Sequence, residues 1–91
     1  MLQLATTDGD AELRAAALEA MTFEGVKTHR SELFRAFRAE KAEVVRVVLA
    51  RTLGRLVRLV PEVRAPLSRA RDAERNERVR VELQRAIEKA G

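Results

Sequence analysis

Three times in this chain an aliphatic residue is followed by arginine in the same setting: Leu13-Arg14, Val45-Arg46 and Val79-Arg80. Each pair has an apolar residue four places after the aliphatic one (Ala17, Leu49, Leu83) and another eight places after it (Met21, Leu53, Ile87). The arginines stand 32 and 34 residues apart, and each has an acid six residues before it: Asp8, Glu40 and Glu74. Helical spacing inside a period of that length marks a helix pair. One such pair cannot bury its apolar face alone, so successive pairs must stack. The units fall at about 1–25, 26–59 and 60–91.

The rest of the chain agrees with an all-α reading. Long stretches are Ala, Leu, Arg and Glu, the better helix formers, and only four Gly and two Pro punctuate the 91 residues. Thr7, Asp8 and Asp10 offer caps for a helix over about 10–22, with Gly25 as its stop. A second helix begins at Thr28 or Ser31 and ends near Ala39. A third spans about 42–60 and is halted by Pro61. A fourth covers about 61–71, with Pro66 bending it or resetting its start. A fifth opens at Asp72 or Asn76 and ends at Ala90. The expected core is Leu13, Ala17, Met21, Leu33, Phe34, Phe37, Val45, Leu49, Leu53, Leu56, Leu67, Val79, Leu83 and Ile87.

A helical wheel shows what the repeated arginine does. With about 100° per residue and Arg46 at the origin, Val45, Leu49, Leu53, Leu56 and Val60 fall within about 100° of it on one side, and Val57 on the other. Arg46 therefore sits inside the apolar arc, where a charge must be paired or reach an edge. The acid six residues earlier is the expected partner, and it can also cap the helix. A packed stem with a tethered guanidinium suits Arg better than Lys. Arg14, Arg46 and Arg80, with Asp8, Glu40 and Glu74, are thus read as structural.

The acid–five residues–arginine spacing, with an aliphatic residue before the arginine, resembles HEAT-type repeats. Pro66, Glu74 and Val79-Arg80 form the fullest match. Glu stands for the usual Asp in two units. Glu32 stands where the middle unit should have Pro, and the first unit keeps only Leu2 and Leu4 of an outer helix. The resemblance implies a right-handed α-solenoid of about five antiparallel helices. Helices 28–39 and 61–71 would be outer, and those bearing Arg14, Arg46 and Arg80 inner, lining a concave side.

The solvent side is arginine-rich: 15 Arg and 3 Lys against 14 acids give a net +4. Arg51, Arg55 and Arg58 fall opposite the apolar arc. A shift of 34 residues places Arg85 and Lys89 at the positions of Arg51 and Arg55, and Arg78 extends the row. Residues 1–25 carry −4 and residues 41–60 carry +4, so the chain is a dipole. These six cations are the candidate partner site, for an acidic protein surface or peptide. Nucleic-acid backbone is the alternative ligand, weakened by the lack of Tyr and Trp to stack on bases. An ordinary solvated face is the competing reading. Self-association through the N-terminal edge, or between the acidic and basic ends, is a further expectation.

Other chemistry finds little support. No cysteine is present, and His29 is the single histidine. A disulfide, a thiolate metal site and a multi-histidine zinc site are therefore excluded, and no cofactor is expected. Asp8, Asp10, Glu12 and Glu19 match a calcium loop at four positions, but Leu13 stands where it needs Gly. Ser31 and Ser68 lack a nucleophile's partner set, and Lys41 follows no glycine-rich loop, so no enzyme is read here. No apolar run spans a membrane, although 44–60 in isolation would suit an anionic lipid surface. The opening residues are too short for a secretory apolar segment, which points to the cytoplasm.

Overall fold

The computed structural model describes residues 9–89, and each α-helix among them can be traced to a cap, a stop or an apolar stripe. Asp10 opens α1 (Ala11–Glu19) by accepting hydrogen bonds from the Glu12 and Leu13 amides. The chain then breaks, earlier than expected. Thr22 caps a separate short helix, α2 (Phe23–Thr28), its hydroxyl accepting from the Gly25 amide at 3.0 Å. Gly25 is thus inside a helix and not a stop. A Cβ there would lie 3.2 Å from the Thr22 hydroxyl, so glycine lets the cap close tightly. The count among the described residues is six α-helices rather than five.

α3 (Arg30–Ala39) buries Leu33 and Phe37 and ends at Glu40. α4 (Glu43–Gly54) is apolar nearly all round, with seven buried residues in 12. It stops six residues short of the expected end. Beyond Gly54 the amides of Arg55, Leu56, Val57 and Leu59 reach back three residues instead of four, so the chain tightens into turns before Pro61. A 3-10 turn (Pro61–Val63) leads into α5 (Arg64–Ala73). Pro66 lies in the first turn of α5, where its missing N–H costs least, and so it sets the start of the helix rather than bending it. Asn76 caps α6 (Glu77–Lys89) by accepting from the Val79 amide at 3.2 Å.

α4 is the centre of the packing, against α1 on one flank, α6 on the other and α3 behind, while α5 backs α6. α4 and α6 run parallel. Glu43 meets Arg78 and Asn76 near their starts, Arg51 meets Glu82 midway, and Gly54 meets Ala86 near their ends. A Cβ on Gly54 would fall 2.5 Å from the Ala86 Cβ, so only glycine allows this approach. Of the expected core, Leu13 is half exposed and Phe34 only partly buried; the others are buried. Leu13 matches Val45 and Val79 in the repeat, yet both of those are fully buried.

Candidate functional site

The repeated arginines form a ladder, but not with the expected rungs. Arg14 pairs with Glu40, its Nε 3.1 Å from Oε1 and its Nη2 2.9 Å from Oε2, a two-pronged contact. Arg46 pairs with Glu74 at 2.6 Å. Glu40 does not pair with Arg46, nor Glu74 with Arg80. Arg14 and Arg46 each take the acid of the following unit, and each acid also accepts a backbone amide two residues on, Glu40 from Ala42 and Glu74 from Asn76. Neither acid caps its helix: α4 has no side-chain cap, and Asn76 caps α6. Asp8 lies outside the described residues. Arg80 is exposed and has no ion-pair partner among the described residues.

The rungs are electrostatically live. Burial alone would raise the Glu40 carboxyl, but hydrogen bonds from Arg14 and the Ala42 amide, with the Arg14 charge, hold it below its ordinary value. Glu74 is lowered likewise by Arg46 and the Asn76 amide, against burial. The Arg46 guanidinium also lies 4.4 Å from the centre of the Phe37 ring, so one side chain joins α4, α3 and the turn before α6. This accounts for an arginine inside an apolar arc.

The six cations expected to bind a partner are exposed, and they divide in two. Arg78 pairs with Glu43 at 2.9 Å and Arg51 approaches Glu82 at 3.4 Å, both tying α6 to α4. The Glu43 carboxyl is lowered first by its hydrogen bond from Asn76 and then by Arg78. Arg55, Arg58, Arg85 and Lys89 have no ion-pair partner among the described residues. Arg55 and Arg58 lie in the turns past α4, not on an α-helical stripe.

Two concave features have no counterpart in the sequence reading. A cleft of about 630 Å³ opens between α3 and α5, with Phe34, Phe37 and Ala70 in its lining and Arg38 and Arg69 among its charges. A second, of about 550 Å³, lies on the flank of α6 that faces away from α4, lined by Glu77, Arg80, Val81 and Gln84 with Arg71 and Asp72 of α5. The first arises from pairing helices far apart in sequence and the second from the fold of two consecutive helices onto each other, and so no local motif announces them. Among the described residues no group of His, Asp or Glu is placed to hold a metal ion, and no helix is long and apolar enough to cross a membrane. His29 lies 3.1 Å from Glu32 on the surface.

Comparison with models of protein families, with curated proteins and with solved structures finds no match to this chain.

Proposed function

We propose that this chain is a HEAT-like helical-repeat scaffold, a right-handed stack of antiparallel helix pairs, that binds an acidic protein surface and catalyses nothing. One observation carries the reading: Arg55, Arg58, Arg85 and Lys89 are exposed and have no ion-pair partner among the described residues, while Glu43 and Glu82 between α4 and α6 are engaged by Arg78 and Arg51. Arg51 and Arg78 complete the patch as its paired members. The repeat itself is supported by the parallel register of α4 and α6 and by two rungs built alike. A cytoplasmic home fits the same reading.

The test compares the full chain with an Arg55→Glu, Arg58→Glu, Arg85→Glu variant. The probes are a fluorescent glutamate-rich peptide and a random DNA duplex, each at about 50 mM salt. The peptide should bind, weaken with added salt and be lost in the variant. Crosslinking in native lysate should capture a protein that the variant does not. Tight, salt-steep duplex binding lost in the same variant would move the assignment to nucleic-acid backbone. Failure to bind either probe removes the basic patch as a ligand site.

A further inference from the structure

Each wall of the cleft between α3 and α5 is one helical stripe. Ser31, Phe34 and Arg38 stand three and four residues apart on α3, and Pro66, Ala70 and Ala73 do so on α5, with Arg69 beside them. The floor is the buried Phe37, with the Arg46 guanidinium against its ring and Glu74 beyond. The lining is mostly apolar, yet its charge is unbalanced. Glu74, the acid of the lining, is engaged by Arg46 and the Asn76 amide. Arg38 and Arg69 are exposed and have neither an ion-pair nor a hydrogen-bond partner among the described residues. The acids next to them along the chain, Glu40 and Asp72, pair with Arg14 and Arg71 instead.

We infer that this cleft binds a small amphipathic carboxylate, its head held by Arg38 and Arg69 and its alkyl body laid along Phe34 and Ala70. The volume of about 630 Å³ falls within the range of about 300–1,000 Å³ usual for small-molecule sites, which pair apolar and aromatic walls with a few polar groups. From Pro66 to Ala73 the α5 wall runs about 10 Å at 1.5 Å per residue, which suits a medium-length chain. Exposed guanidiniums alone hold a carboxylate weakly. The charge therefore selects and orients the ligand, while burial of its apolar body supplies most of the affinity. A glutamate-rich segment, which suits the basic patch between α4 and α6, has no such body to bury here.

The cleft shares no residue with the basic patch, so the two binding tests fail separately. The probes are decanoate, 1-decanol and acetate, titrated into the full chain by calorimetry and amide NMR. Decanoate should bind with a dissociation constant of about 10–100 μM and shift the amide signals of Phe34, Arg38, Arg69 and Ala70. Decanol, with the same body and no charge, should bind about fivefold more weakly, and acetate should not bind. Arg38→Gln with Arg69→Gln, both at exposed positions, should bring decanoate down to the affinity of decanol while helix content by circular dichroism and decanol binding stay unchanged. Ala73→Trp, at an exposed position on the wall, should fill the cleft and weaken both ligands about tenfold. The Arg55→Glu, Arg58→Glu, Arg85→Glu variant should bind decanoate as the wild type does. Absence of decanoate binding up to about 1 mM overturns the inference. So does binding that survives the double arginine variant or Ala73→Trp, or signal changes confined to other surfaces.

Discussion

Arg14, Arg46 and Arg80 hold one sequence position in three units, yet only the first two are tied to a carboxylate among the described residues. Arg14→Ala or Arg46→Ala should therefore cost about 1–3 kcal/mol by urea unfolding, through a half-buried carboxylate left unpaired. Arg80→Ala should stay within about 0.5 kcal/mol. The same rungs set a pH dependence. Glu40 and Glu74 lie below their ordinary value of 4.5 in the folded chain, so below that pH the unfolded chain binds more protons. Stability should be level above that range and fall as pH drops through it, and Glu40→Gln with Glu74→Gln should flatten the slope. The residues of the ladder were legible in the sequence because their spacing recurs. Their partners were not, because the six-residue spacing only places the acid in the turn before its own unit's helix. The pairing itself crosses to the next unit, 26 and 28 residues away.

At the scale of elements, the joints are decided by single side chains. Asn76 caps α6 through its oxygen and donates its nitrogen to Glu43 of α4. Asn76→Ala should cost about 1 kcal/mol by thermal or urea unfolding, typical of a lost cap. Gly54→Leu should cost about 1–3 kcal/mol, because the added atoms meet the Cβ and backbone of Ala86, which cannot swing aside. Ala86→Gly in the same background should recover part of it. No spacing along the chain announces the α4–α6 approach at Gly54, since glycine near a helix end reads equally as a stop. The apolar run at 44–60 suggested one long helix. The tightening after Gly54 follows from packing of Leu56, Val57 and Val60 into the core, which period alone does not place.

For the whole molecule, the position of each helix in the row governs its exposure. α4 is flanked by α1 and α6, and so Val47, Val48 and Ala50 are buried on it. The equivalent residues of α6, Val81, Glu82 and Gln84, are not. Amide hydrogen exchange should accordingly be slowest in α4, and faster in α2 and at the open flank of α6. Equal protection across all helices would contradict this packing. The charge layout changes at this scale too. Two of the six aligned cations are spent on joining α4 to α6, and cations without an ion-pair partner among the described residues also occur on α3 and α5, at Arg38 and Arg69.

What the sequence determined by itself was the local chemistry: helices, most of the buried stripe, the Asp10 cap and the recurring arginine. These follow from propensity, period and hydrogen-bonding groups within a few residues of each other. The tertiary structure alone decided which acid each arginine meets, which cations remain free and where the surface is hollow. Those outcomes depend on how helices pack on one another, and that packing is fixed by side-chain fit, such as Gly54 against Ala86, rather than by any spacing along the chain.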